Sequence, residues 1–84
     1  MLYLKGGQEE AGGRKRVMYE IAKNIKRLRK ERGILQKDLE KMIGVSSRNI
    51  SKWERNIVTP SLYALVKLSK VFECSLDELV FGEK

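Results

Sequence analysis

From Met18 onward, apolar residues recur at the three- and four-residue spacing of helices, and no stretch shows the period-two alternation of a half-buried strand. Ile21, Ile25 and Leu28 place one apolar stripe along a first helix, with Lys23, Lys26, Arg27 and Lys30 on its other faces and Gly33 as its stop. A short second helix follows from about Gln36 to Ile43, burying Leu39 and Ile43, and Gly44 ends it. Ser46 or Ser47 caps a third helix, in which Ile50 and Trp53 stand one turn apart, and Asn56 to Thr59 reads as a loop. Thr59 and Pro60 offer an N-cap and a first-turn proline for a fourth helix, whose Leu62, Leu65, Leu68 and Phe72 mark it as a core element. Ser75-Leu76-Asp77-Glu78 fits the capping box of a fifth helix that buries Leu76 and Leu79 and closes at Gly82. The pattern predicts an all-α fold of five helices.

Residues 1–18 differ from the rest. Gly6-Gly7 and Gly12-Gly13 bracket Gln8-Glu9-Glu10-Ala11, and glycines at that density resist both helix and strand. A flexible basic N-terminal arm over 1–18 is expected, followed by one folded domain over 19–82. Its Arg14-Lys15-Arg16 cluster suits either a DNA minor groove or plain solvation. Met18 is also a candidate natural start, since the Glu, Gly, Arg and Lys codons upstream would spell a purine-rich ribosome-binding sequence.

The length of 84 residues supports one domain with a modest core. With 18 Lys and Arg against 11 Asp and Glu, the net charge is +7. Its placement is more informative than its sum. Residues 20–55 hold 11 basic and 5 acidic side chains, whereas residues 56–84 hold 3 and 4. A polyanion partner and a merely solvated basic helix explain that charge equally well. The absence of His removes the commonest general base and metal ligand, and the lone Cys74 cannot close an intramolecular disulfide or build a zinc site. No enzyme activity, metal or cofactor is expected. No apolar run approaches the roughly 20 residues of a membrane span, so a cytoplasmic protein is expected.

Two short helices joined by Gly44-Val45-Ser46 satisfy the geometry of a helix-turn-helix, although a glycine-containing helix corner also occurs in many other helical proteins. The third helix adds chemistry: Ser47, Arg48, Asn49, Ser51, Lys52 and Arg55 occupy its outer positions. Arg and Lys donate to guanine O6 and N7, Asn bonds adenine bidentately, and Ser reaches base edges or phosphate.

Gln36 to Glu54, in the form Q-K-D-L-E-K-M-I-G-V-S-S-R-N-I-S-K-W-E, resembles the helix-turn-helix of the Cro/CI-type (Xre family) regulators. The likeness extends over about residues 20–82. It implies a five-helix, lambda-repressor-like DNA-binding domain with the helix-turn-helix at helices 2 and 3. It further implies that Gln36 binds a phosphate and that Ser47, Arg48 and Lys52 hold base-contacting positions, with Asn49 as a fourth candidate. Arg55 and Asn56 would face the backbone of the adjacent strand, and Lys37 and Ser51 complete the expected phosphate contacts. Glu54 is implied to turn inward and pair with Arg29. Glu40 stands where the family usually has a small residue, so it either points outward, pairs with Lys37, Lys41 or Arg48, or slightly changes the recognition-helix angle. Leu35 replaces a small polar residue and removes one phosphate contact.

The leading expectation is a sequence-specific double-stranded DNA-binding regulator, most simply a repressor, acting as a homodimer on a palindromic operator. Two recognition helices about 34 Å apart would read successive half-sites. Leu62, Tyr63, Val80 and Phe81 in the apolar, nearly neutral C-terminal third are the candidate dimer interface. Regulation by a small ligand is not expected. The alternative is an antitoxin that binds a partner toxin and autoregulates its operon.

Overall fold

Ile21, Ile25 and Leu28 line the inward side of one long helix and are at most 5% exposed; the last three of the five helices pack against that helix, and the second packs on the third and fourth. The computed structural model describes residues 6–82, with side chains from residue 13 onward. It holds α1 (Gly6–Glu31), α2 (Gln36–Ile43), α3 (Ser47–Glu54), α4 (Leu62–Phe72) and α5 (Leu76–Phe81), with no strand among the described residues. The core joins the α1 stripe to Leu39 and Ile43 of α2, Ile50 and Trp53 of α3, Leu65, Leu68 and Phe72 of α4, and Leu79 of α5.

Three boundaries differ from the pattern. α1 begins at Gly6, so the segment expected to form a flexible arm is helical from that point; residues 1–5 of the expected arm lie outside the described residues. Glycine in a helix interior costs about 1 kcal/mol relative to alanine but does not terminate the helix. Good helix formers flank the glycines, and elongation from a packed segment needs no new nucleus. α4 is capped by Ser61, whose Oγ accepts from the Ala64 amide at 3.1 Å, and not by Thr59. Pro60 is buried in the loop just ahead of that cap. Leu76, expected in the core, is 39% exposed at the first position of α5, while Leu79 is fully buried one turn on.

The helix ends are tied to their neighbours. At the end of α1, the amides of Gly33 and Ile34 donate to the carbonyls of Lys30 and Arg29. The same paired arrangement closes α3 at Asn56 and α4 at Glu73, both in the left-handed region with φ of 60° and 54°. Asn tolerates that conformation; Glu does so at a steric cost. Asn24, buried in α1, donates its side-chain amide to the Leu79 carbonyl at 2.9 Å and so fixes the last turn of α5. Arg32 donates from Nε to the Phe72 carbonyl at 2.7 Å, and Lys67 donates to the Ile43 carbonyl at 3.1 Å. In each case a cation meets the negative end of another helix.

Because a glycine adopts the Glu73 backbone without Cβ strain, Glu73→Gly is expected to raise the unfolding free energy by about 0.5–1 kcal/mol. Urea denaturation of the two chains measures this, and an unchanged or lower midpoint would show that the φ is accommodated without strain.

Candidate nucleic-acid interface

The turn between α2 and α3 depends on Gly44, whose φ of 74° reverses the chain and whose amide bonds the Glu40 carbonyl at 2.9 Å. Val45 then packs against the core, and Ser46 Oγ caps α3 by accepting from the Asn49 amide at 3.2 Å. With Ile50 and Trp53 facing inward, helical periodicity leaves Arg48, Ser51, Lys52 and Arg55 as the outward row of α3. Arg48 and Arg55 are exposed, and Ser51 and Lys52 are half-buried. Arg55 Nε donates to Ser51 Oγ at 3.2 Å, which lays the arginine back along this row. Ser47 and Asn49 flank the row on opposite sides; Asn49 is exposed and Ser47 half-buried.

The rotation of α3 is held from behind by an ion pair. Arg29 grips the Glu54 carboxylate with both Nε, 2.6 Å from Oε2, and Nη2, 3.0 Å from Oε1, while its Nη1 donates to the Ile34 carbonyl. The two side chains are 10% and 4% exposed, so neither charge has water as an alternative partner. Gln36, the first residue of α2, donates its amide to Glu54 Oε1 at 3.1 Å. One carboxylate therefore joins the end of α1, the start of α2 and the end of α3. Gln36, expected at a phosphate, has one side-chain N–H committed to this network, and its remaining amide atoms stay at the rim of a groove.

That groove runs between α2 and α3, with Gln36, Glu40, Ser46, Arg48, Ser51 and Arg55 on its walls. Its walls are polar, and Gln36, Arg48 and Arg55 offer donors there to an anion or a base edge beside the Glu40 carboxylate. Lys37 is exposed beside Gln36. A second groove places Lys23, Lys26 and Lys30 of α1 beside Arg55 and Asn56, so these helix 1 cations adjoin the end of α3. Asn56 contributes its left-handed backbone as the exit from α3, a conformation its short polar side chain tolerates.

Glu40 is the residue that sequence reasoning left unplaced. It is half-buried, and its Oε1 accepts from the Ser47 backbone amide at 3.1 Å, so it caps the first residue of α3 from the neighbouring helix. The ion pairs among the described residues are Arg27–Glu31, Arg29–Glu54 and Arg32–Glu31; Glu40 pairs with none of Lys37, Lys41 or Arg48. The signal for it in the sequence is its seven-residue separation from a helix start across a glycine turn.

Among the candidate dimer residues, Leu62, Tyr63 and Phe81 are exposed, at 70%, 71% and 55%. Val80 instead leans on the core, because it sits beside Leu79 on the inward side of α5. Ile57 and Val58, missed as candidates, are exposed apolar residues in the loop leading to α4. Cys74 is half-buried, and burial, with Glu78 nearby, pushes its thiol pKa up, which keeps it protonated and unreactive near neutral pH. No helix among the described residues is long and apolar enough to cross a membrane.

The family model described as Helix-turn-helix (HTH_3) matches residues 25–79. The chain is 41% identical over 63 residues to repressor protein C2 of Salmonella phage P22, a match covering 75% of this chain and 29% of that protein. It is 34% identical over 64 residues to the HTH-type transcriptional regulator DicA of Escherichia coli K12, covering 76% of this chain and 47% of that one. The chain thus spans less than half the length of these curated relatives. The crystal structure of the P22 c2 repressor with a synthetic operator matches with a TM-score of 0.70 at 41% identity, covering 75% of this chain and 96% of that chain. The solution structure of the same repressor's DNA-binding domain matches with a TM-score of 0.72 at 40% identity, covering 77% and 86%.

The buried pair separates scaffold from surface. Glu54→Ala strands the Arg29 charge and is expected to lower the unfolding free energy by about 3–5 kcal/mol, whereas Arg48→Ala on the exposed row should change it by no more than about 0.5 kcal/mol. Equal stability of the two variants in urea denaturation would contradict the role assigned to Glu54.

Proposed function

The chain belongs to the helix-turn-helix family of Cro/CI (Xre) type, and from that premise we propose that it is a cytoplasmic, sequence-specific regulator that binds double-stranded operator DNA as a homodimer and represses by occupying it. The observation that carries this reading is the outward row Arg48, Ser51, Lys52 and Arg55, on a helix whose back is held by Ile50, Trp53 and the Glu54 network. A helix so held presents its cations at fixed spacing, the condition for reading base edges in a major groove. Of the matched structures, one holds the P22 c2 repressor on a synthetic operator.

In this reading α3 enters the major groove. Arg48 and Lys52, one turn apart, donate to base acceptors, and Ser47 and Asn49 reach the flanking edges. Ser51 and Arg55 lie further along the same row and meet phosphates, together with Gln36 and Lys37 at the start of α2 and Asn56 after α3. The two sets have different tasks: phosphate contacts fix the register of α3 and base contacts choose the sequence. The Lys23, Lys26 and Lys30 side chains beside Arg55 add long-range attraction along the same side. A second copy, docked through Leu62, Tyr63 and Phe81 with Ile57 and Val58 adjoining, sets a second α3 one helical turn away. Val80 supports that surface from the core side. The antitoxin alternative is not favoured, since the matched relatives are repressors and transcription regulators.

Selection from random duplexes should return a palindrome with half-sites spaced by about one helical turn. On that operator Arg48→Ala or Lys52→Ala should cost about 1–3 kcal/mol and relax preference at one base pair, whereas Lys37→Ala, at a phosphate contact outside the Glu54 network, weakens all duplexes alike. The same uniform loss from all three variants would overturn the base-reading assignment.

Log affinity should fall with log salt at a slope near −0.9 for each phosphate neutralised. Between pH 6 and 8 it should stay nearly constant, because the chain has no His and the Cys74 thiol is pushed further from that range. A flat salt response would contradict the model.

A further inference from the structure

The N-terminus of α3 should attract an anion, since its first amides point out of the helix and its dipole is positive at that end. In this chain an anion of its own is already there. Of the first three amides of α3, Asn49 is taken by Ser46 Oγ and Ser47 by the Glu40 carboxylate. Glu40 lies on the wall of the same groove as Gln36, Arg48 and Arg55, where the proposed function brings in the duplex. It is half-buried, makes no ion pair among the described residues, and contributes −1 to a surface otherwise lined by cations and neutral donors.

We propose that Glu40 is a specificity-determining residue: its carboxylate holds the start of α3 in place while repelling DNA phosphates from that helix terminus. The inference rests on the DNA-binding reading above and deepens it. Two physical effects act through one side chain. The charge-assisted bond to Ser47 fixes the tilt of α3 against α2, and charge-assisted bonds are about twice as strong as neutral ones. Only the complex that reads bases needs that tilt, because backbone attraction tolerates many orientations. The negative charge, in contrast, opposes every duplex regardless of sequence. Glu40 thereby weakens binding to arbitrary DNA more than binding to the operator, and the ratio between the two increases.

Three substitutions separate the effects. Glu40→Gln keeps an acceptor for the Ser47 amide and removes the charge. Glu40→Asp keeps the charge on a side chain one methylene too short to reach from α2. Glu40→Ala removes both. Each variant, checked for its helical spectrum and urea midpoint, is titrated by fluorescence anisotropy against two probes across a salt series. One probe is a 30-base-pair duplex of scrambled sequence; the other is the operator selected by the wild-type chain. Glu40→Gln should bind the scrambled duplex about three- to tenfold more tightly, the range expected for one charge at a helix terminus. It should gain less on the operator, so that its specificity ratio falls.

Glu40→Asp should keep the weak scrambled binding of the wild type and lose operator affinity. Glu40→Ala should combine tighter scrambled binding with that loss. Unchanged scrambled affinity in Glu40→Gln overturns the repulsion, and an equal gain on both probes overturns the claim of specificity. Full operator affinity in Glu40→Asp overturns the positioning role. A wild-type chain that selects no sequence at all overturns the underlying DNA-binding reading instead, and that result is obtained before any variant is made.

Discussion

A carboxylate that is 4% exposed must be paired or neutralised, and most of this molecule's functional geometry follows from how Glu54 meets that requirement. Glu54 is the last residue of α3, and both of its oxygens are taken by groups on other helices. Arg29 reaches it in a fork from the end of α1 while also satisfying the Ile34 carbonyl beyond that helix. Gln36 reaches it from the start of α2. Three helix ends are therefore fixed in mutual distance by directional bonds. Apolar packing of Ile50 and Trp53 sets which face of α3 turns inward, and these directional bonds fix its rotation more finely.

Once the rotation of α3 is fixed, the division of its faces has no remaining freedom. A turn of about one residue would bring Arg48 toward the core and Ile50 toward solvent, both strongly unfavourable. The outward row is therefore a rigid display, and its long side chains move only about their own torsions. The α2 terminus is part of the same unit through Gln36, so the groove between the two helices has a defined shape before any duplex arrives. Preorganisation of this kind lowers the ordering cost of binding.

Most of the scaffold was legible in the sequence because it depends on short-range rules. The stripe of Ile21, Ile25 and Leu28, the stops at Gly33 and Gly44, the caps at Ser46 and Ser75 and the inward Ile50 and Trp53 each follow from spacing within one helix or its ends. What was hidden depends on long-range geometry or on competition between signals. Thr59-Pro60 and Ser61 both offer a start for α4, and only packing chooses the one that buries Pro60. Glycine content argued against helix over Gly6 to Gly13, while the formers on either side and the packed helix beyond them prevailed. Lys67 and Arg32 bond carbonyls on other helices, contacts that no periodicity encodes. Of the interface candidates, the row on α3 was readable from types and spacing; the commitment of Gln36 to Glu54 and the partial burial of Val80 against the core were not.

The acids clarify the charge pattern more than the bases do. The region 20–55 carries 5 acidic residues among its 11 basic ones, and on composition alone they would dilute a field meant for a polyanion. The placement of Glu54, Asp38 and Glu31 limits that. Glu54 is neutralised within the core by Arg29, Asp38 is turned back to the Leu35 amide at the start of α2, and Glu31 pairs with Arg27 and Arg32 at the end of α1. Glu40 is bonded to the start of α3. Four acids thus act on helix termini or on arginines of the scaffold, while Lys23, Lys26, Lys30, Arg48 and Arg55 keep their charges toward solvent. Net charge therefore understates the field that a duplex would meet near the end of α3, where Lys23, Lys26 and Lys30 adjoin Arg55, because Glu54 and Glu31 are paired with arginines, whereas Glu40, in no ion pair among the described residues, still opposes a phosphate at the start of α3.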